Sequence, residues 1–378
     1  MAADGVEQAS LDRRNFLRKT ALGSMGLAVV GGGGLSTVLA ACGSSSNKSS
    51  STPTSAGAPD FGTLAFQLSW IKNVEFAGEY FADTKGFYKK EGFSKVTLIA
   101  GGPTVSQDAV VASGKAFVCI SAPDISAAAI KNGAPLVTIG AQYQKNPFAV
   151  MSLANKKIAT PKDMIGKKIG VQATNEPVWN AFLKANKIDP SKINKVPVQF
   201  DPQPLVNGEV DGWFSFFTNE PNLLKTKGVD TFFFLLADYG YPLVSETYVV
   251  AKKSLESDRD KVKAMLRADI QGWFENFKDP AAGATLAATK YGKSVGLEVA
   301  EQTLESKAEN SVILTDETAA NGLFTISDKL IAENISTLKL AGVDITAAEL
   351  FDMSVLAEVY QENPELKKSP VTPSAASS

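Results

Sequence analysis

The chain contains no histidine. That absence removes the commonest general base and the commonest transition-metal ligand together. Cysteine is nearly as scarce. Cys42 and Cys119 are the only two, too few for a disulfide framework. Arginine is missing from most of the chain: beyond residue 20 only Arg259 and Arg267 occur. A receptor for a strong anion wants guanidinium forks converging on its ligand, and this chain has few to offer. The net charge is only −2, so no overall basic field draws nucleic acid, and no nucleic-acid partner is expected. There is no P-loop and no spacing that assembles a nucleophile, base or metal cluster. No catalytic residue, cofactor or metal is therefore expected. What remains is a 378-residue chain, 44% hydrophobic and 21% charged, which is ordinary for a soluble globular protein of two domains.

The first 60 residues read as an address. Asp12-Arg13-Arg14-Asn15-Phe16-Leu17-Arg18-Lys19 is similar to a twin-arginine export signal. A Gly-interrupted apolar stretch from Ala21 to Ala41 follows, too weak for a permanent membrane helix. It ends in Leu39-Ala40-Ala41-Cys42-Gly43, which resembles a bacterial lipobox, with cleavage before Cys42 and a diacylglycerol on its sulfur. Residues 1–41 are then a signal peptide. Residues 42–60, rich in Ser, Thr, Gly and Pro, are a lipidated cysteine and a flexible tether. The expected location is the outer face of the cytoplasmic membrane.

From Gly62 to Leu153 short apolar runs alternate with amphipathic segments, a pattern that favours a largely parallel sheet flanked by helices. Strands are expected at 64–70, 96–99, 116–120, 135–140 and 149–153, with a helix over 75–89 and another from Gly101 to Ser113. A second unit opens at Thr160-Pro161-Lys162-Asp163. Its strands are expected at 166–171, 196–200, 210–216 and 231–236, and a strand over 246–251 returns to the first unit. After Leu255 the chain is mostly helical. Val262, Leu266, Ile270, Trp273 and Phe277 recur at helical spacing as a core-facing stripe. The tail from Lys367 is polar and is expected to be disordered.

Two strand-to-helix passages organise the body: Ser69-Trp70 through Tyr80, and Gly208-Glu209-Val210-Asp211-Gly212-Trp213 into Thr218-Asn219-Glu220-Pro221. Open α/β sheets bind ligands at the carboxyl ends of strands, beside helix N-termini, so these passages are expected to face one another across a cleft. Trp70, Phe76, Tyr80, Trp179, Trp213, Phe216 and Phe217 are candidate planar walls. Asn73, Glu75, Asn175, Asn219 and Glu220 are candidates to bond ring nitrogens and carbonyls. Gly102, Ser121 and Thr218, at the starts of helices, complete the set. Aromatic rings outnumber cations there, which argues for a planar neutral heterocycle.

The same residues carry a resemblance. Trp70-x-x-Asn73-x-x-Phe76-Ala77-Gly78-x-Tyr80, Gly86-Phe87-Tyr88-x-x-Glu91-Gly92, Gly133-x-Pro135-Leu136-Val137, Gln144-x-x-Pro147, Gly208-Glu209-Val210-Asp211 and Asn219-Glu220-Pro221 together resemble the thiamine-pyrimidine-synthase-like family of periplasmic binding proteins. The resemblance implies the type II fold: two mixed α/β lobes joined by two hinge crossovers, closing on a ligand. On this chain that gives a first lobe of residues 62–153 and 246–366, a second of 154–245, and a tail of 367–378. It implies a monomeric extracytoplasmic receptor working with an ABC permease and ATPase. The ligand would be a thiamine pyrimidine precursor or riboflavin. A nitrate-, sulfonate- or taurine-type receptor, a pyrimidine synthase or a ligand-sensing lipoprotein are the alternatives. The enzymatic branch consumes a histidine in Asn-x-x-His-x-Gly; Phe76 stands at that place here, so the reagent is missing.

Overall fold

The computed structural model describes residues 59–376; the export signal, Cys42 and most of the tether lie outside them. Among the described residues ten strands form two five-stranded sheets. β1 (Gly62–Gln67), β2 (Phe93–Ile99), β3 (Val118–Ser121), β4 (Leu136–Tyr143) and β10 (Ser245–Ala251) make the first, in the order β2-β1-β3-β10-β4. The second comprises β5 (Phe148–Leu153), β6 (Lys168–Gln172), β7 (Asn194–Val198), β8 (Gly212–Phe216) and β9 (Thr231–Leu235), in the order β7-β6-β8-β5-β9.

The two sheets share one plan. Four strands run parallel in each, and a fifth is inserted antiparallel: β10 between β3 and β4, β5 between β8 and β9. Each inserted strand arrives from the other half of the chain. The chain thus crosses between sheets twice, at residues 144–147 and 236–244. This corrects the expected boundary at residue 153. Met151 pairs with Trp213 and Phe233, so β5 belongs to the second sheet. Periodicity alone could not show this, because a strand buried on both faces reads the same in either sheet.

Helices cover the sheets: α1 (Ala77–Thr84), α2 (Phe87–Lys90), α3 (Gln107–Ala112), α4 (Pro123–Lys131), α5 (Glu176–Ala185), α6 (Gln203–Val206), α7 (Glu220–Thr226), α8 (Lys252–Ser257), α9 (Arg259–Lys278), α10 (Pro280–Leu286) and α11 (Val299–Ile313). Three expectations need correction. The helix over 75–89 is two helices behind a short turn at Val74–Phe76, because Gly86 adopts φ +73°, which ends α1. The helix after Gly101 starts only at Gln107. The tail is ordered as far as Ala376: residues Pro373–Ala376 form a helical turn, Ala376 is buried, and the Asn310 Nδ2 donates to its carbonyl at 2.7 Å.

The stripe on α9 is buried as the spacing predicts. α9 crosses α1 so closely that a methyl group on Gly272 would sit 1.9 Å from the Gly78 carbonyl oxygen. Trp273 covers Gly78 from the other side, 2.2 Å from where its Cβ would be. Glycine at both positions therefore sets the distance at which α9 meets α1.

Candidate functional site

The edge where the strands end builds a cavity of about 540 Å³, counted to its open mouth. β1, β3, β6 and β8 deliver their carboxyl-terminal residues or the turns after them: Ser69 and Trp70, Ser121 and Ala122, Thr174 and Asn175, and Phe214 to Phe216. β5 and β10 run the other way, so they deliver their first residues, Phe148, Ser245 and Glu246. The starts of α3 and α7 add Gln107, Asn219 and Glu220. Both sheets thus supply the walls.

Aromatic rings form one side. The Phe148 ring centroid lies 4.8 Å from that of Phe214, near-parallel, and 4.5 Å from that of Phe216, edge-on. Trp70, half-buried, adds a fourth ring. The polar side is dominated by acceptors. The Ser69 hydroxyl stands 2.7 Å from Glu246 Oε2 and 3.3 Å from Glu75 Oε1. Burial pushes the Glu75 carboxyl well up from its ordinary range, and the charge of Glu246 beside it adds to this. Burial likewise raises Glu246 to about 7. Glu220 is raised to about 7 by burial, although its Oε2 accepts the Phe216 N–H at 2.9 Å. The Ser121 hydroxyl donates to buried Asp108 at 2.5 Å, which leaves its lone pairs to the cavity. Among the described residues no lysine or arginine lines the space.

Across the mouth, the loop after β6 is tied to the loop after β2. The Thr174 N–H donates to the Pro103 carbonyl at 2.9 Å, and its hydroxyl to the Val105 carbonyl at 3.0 Å. These bonds join segments that flank different sheets.

Of the residues singled out from sequence, Trp70, Glu75, Ser121, Asn175, Phe216, Asn219 and Glu220 line the cavity. The other eight do not; among them, Phe217 stacks on Phe233 at 6.2 Å. Trp213 points to the opposite face of β8 from Phe214 and packs with Met151, Leu205, Val210 and Leu224. Successive strand residues face opposite ways, so only one of these two neighbours can face the cavity. Trp179 stands behind the wall, edge-on to Phe214 at 5.7 Å. Phe76 and Tyr80 are in the core of the first sheet, where Tyr80 stacks on Tyr291 at 4.2 Å. Asn73 is buried, its Nδ2 donating to Glu305 Oε1 at 2.8 Å. Gly102 and Thr218 are buried beside the site without lining it. Phe148, Ser245 and Glu246 were missed. Their sequence signal is no more than a strand start, and only strand polarity brings them to this edge.

Behind the cavity α11 presents Glu301, Glu305 and Glu309 on a buried face. Burial raises all three, Glu301 to about 7. The Gln302 amide oxygen accepts the Val74 N–H at 2.6 Å, and its Nε2 donates to Glu301 and Glu305. Among the described residues no group of three or more His, Cys, Asp or Glu is arranged to hold a metal ion.

Two like-patterned sheets with a ligand-sized cavity at their shared edge define the type II periplasmic binding protein fold. The solved periplasmic nitrate-binding protein NrtA of Synechocystis PCC 6803 superposes with a TM-score of 0.57 at 13% identity, over 82% of this chain and 91% of that one. The ligand-binding component of an ABC-type import system from Staphylococcus aureus gives 0.58 at 11% identity, over 79% and 99%. The chain belongs to the NMT1/THI5-like family, whose profile matches residues 73–283. Within reach of its sequence are the riboflavin-binding protein RibY of Chloroflexus aurantiacus, 26% identical over 60% of this chain and 67% of that protein, and the formylaminopyrimidine-binding protein of Halalkalibacterium halodurans, 26% identical over 59% and 70%. A third relative is an enzyme, the 4-amino-5-hydroxymethyl-2-methylpyrimidine phosphate synthase of Schizosaccharomyces pombe, 23% identical over 57% and 66%.

Proposed function

We propose that this protein is an extracytoplasmic solute receptor of an ABC importer, and that it captures a planar aromatic heterocycle such as a thiamine pyrimidine precursor or riboflavin. The observation that carries this reading is the cavity itself. Four aromatic rings, Trp70, Phe148, Phe214 and Phe216, face several hydrogen-bonding groups, with no cation among the lining residues. Such a site suits a flat ring and disfavours nitrate or sulfonate, which would face carboxyl groups instead of guanidinium. The two sheets act as lobes that close on the ligand, with residues 144–147 and 236–244 as hinges. Cys42 carries the lipid that tethers the receptor beside its permease and ATPase. The absent histidine at Phe76 supports binding over synthesis.

Calorimetric titration with riboflavin, an aminopyrimidine, nitrate and an alkanesulfonate tests the ligand class. One of the heterocycles is expected to bind and neither anion. A protein that binds an anion and no heterocycle refutes the assignment. The tether has its own test: Cys42→Ser should move the protein from washed membranes to the soluble fraction, and a variant that stays membrane-bound excludes the lipid anchor.

A further inference from the structure

α11 touches both passages that build the cavity. Its carboxyl end belongs to the first sheet: the Gln144 N–H donates to the Val312 carbonyl at 2.9 Å, and Val312 and Ile313 lie in that sheet's core. Its earlier turns hold the segment that carries Ser69, Trp70 and Glu75. Gln302 Oε1 accepts the Val74 N–H at 2.6 Å, and Glu305 Oε1 accepts the Asn73 amide at 2.8 Å. α11 also packs against α7, the helix that follows β8 of the second sheet and begins with Glu220.

Carboxyls therefore meet between the two halves. Glu220 of α7 is 5% exposed, and Glu301 and Glu305 of α11 are 2% and 1% exposed. The charge of Glu301 acts on Glu220, and that of Glu220 on Glu305. Glu75 and Glu309 add to the same field, and Tyr143 of β4 faces Glu309. Lys227, exposed beyond the end of α7, acts on Glu301. Lys290 and Tyr291, in the turn packed on α11, are engaged with Asp83 instead. α10 and the turn at Pro373–Ala376, also packed on α11, carry no titratable side chain, and neither do β8 and β9 behind α7. Among the described residues none of the three carboxyls forms a salt bridge. Asn73 Oδ1 and Glu301 Oε1 are moreover buried without a hydrogen-bond partner within the protein. Such acceptors are costly, and a protonated carboxyl supplies the donor that they lack.

We infer that α11 is the closing contact of the receptor, and that its Glu301 and Glu305 meet Glu220 as protonated carboxyls, so that the two lobes close on a ligand with uptake of protons and part as pH rises. The inference rests on the proposed receptor function, in which the sheets are closing lobes, and adds its regulation. Apart, each carboxyl faces water and ionises near its ordinary value, about 4.3. Together, burial and like charge disfavour the ionised forms. Burial first, then neighbouring charge, raises Glu220 to about 7 and Glu305 well up; burial raises Glu301 to about 7. The closed form thus binds more protons than the open one. Its advantage is full below the open-form value and is lost as pH rises through the closed-form value. Glu301 and Glu305 do not line the cavity, so they are positioning residues that act on the ligand through closure.

Small-angle X-ray scattering of the ligand-free full chain at pH 5 and pH 8 tests this without a ligand. The parent's radius of gyration is expected to be larger at pH 8. Glu301→Gln and Glu305→Gln keep shape and acceptor oxygen and cannot ionise, so each should stay nearer its pH 5 radius at pH 8. A parent radius that is equal at the two values, or larger at pH 5, overturns the inference whether or not a variant folds. So do folded variants that expand as the parent does. Riboflavin, whose charge is the same at both values, is then titrated by calorimetry. The parent should bind it at least about tenfold more weakly at pH 8, and each variant should lose less than about threefold. Riboflavin binding that ignores pH overturns this inference and leaves the receptor standing. Expansion at pH 8 without riboflavin binding supports this inference and counts against riboflavin as the solute.

Discussion

Trp213 and Phe214 are neighbours in sequence and opposites in role. Phe214 faces the cavity and Trp213 the small core under α7, because β-strand side chains alternate. Trp70→Ala and Phe216→Ala should each weaken heterocycle binding by roughly 30- to 1000-fold, on the order of 2–4 kcal/mol for a desolvated aromatic contact. Trp213→Ala should instead cost about 3–5 kcal/mol of stability, the usual range for truncating a buried aromatic. Urea unfolding and one titration per variant separate the two. If Trp213→Ala spares stability but removes binding, the faces of β8 are assigned the wrong way round. The sequence placed aromatics at this strand end correctly. It could not choose between odd and even positions, since both faces of β8 are buried.

Glycine is penalised inside a helix, yet Gly78 sits in α1 and Gly272 in α9. Their reason lies in the pairing of α1 with α9. A Cβ on Gly272 would meet backbone, the Gly78 carbonyl at 1.9 Å, and backbone cannot swing aside as a flexible side chain would. Gly272→Ala should therefore destabilise the protein by about 1–3 kcal/mol or more, despite alanine's better helix propensity. A fall in the urea midpoint is the expected result. An unchanged or raised midpoint would show that the helices separate without cost. Gly86 behaves differently: the expected helix ran through it, and its φ of +73° is what divides that helix.

The whole molecule carries an unusual load of buried acids. Glu79, Glu220, Glu246 and Glu301 are each raised to about 7 by burial, and Asp124 to about 6. A carboxyl raised above its unfolded value near 4.3 holds its proton more tightly in the folded state. Its contribution is fully present below that unfolded value and is lost as pH rises through the folded value. Stability should then decline between about pH 4.5 and 7, on the order of 3 kcal/mol for one such group, with coupled neighbours adding less than their sum. Thermal unfolding followed by circular dichroism is expected to give a higher midpoint at pH 5 than at pH 8. A midpoint that rises across that interval would mean that these carboxyls are ionised and compensated in the folded protein. At the same scale, the Thr174 bonds to Pro103 and Val105 span the cavity mouth. Thr174→Val removes the hydroxyl bond alone and should weaken ligand binding several-fold through faster release, measured as a dissociation rate; an unchanged rate would remove the mouth contact from closure.

Local information was enough for much of this protein. Strand positions, the buried stripe of α9, the candidates Trp70, Glu75, Ser121, Asn175, Phe216, Asn219 and Glu220, and the shortage of cations all follow from residue identity and spacing of a few positions. Three things were decided only by the folded chain. The sheet to which β5 belongs depends on hydrogen bonds to strands more than 60 residues away. The antiparallel entry of β5 and β10 brings Phe148, Ser245 and Glu246 to the cavity. The pairing of Glu75 with Glu246 joins two residues that no periodicity links. Periodicity reports which side of an element is apolar; it carries no record of which distant element will cover that side, because that choice is made by packing and strand polarity.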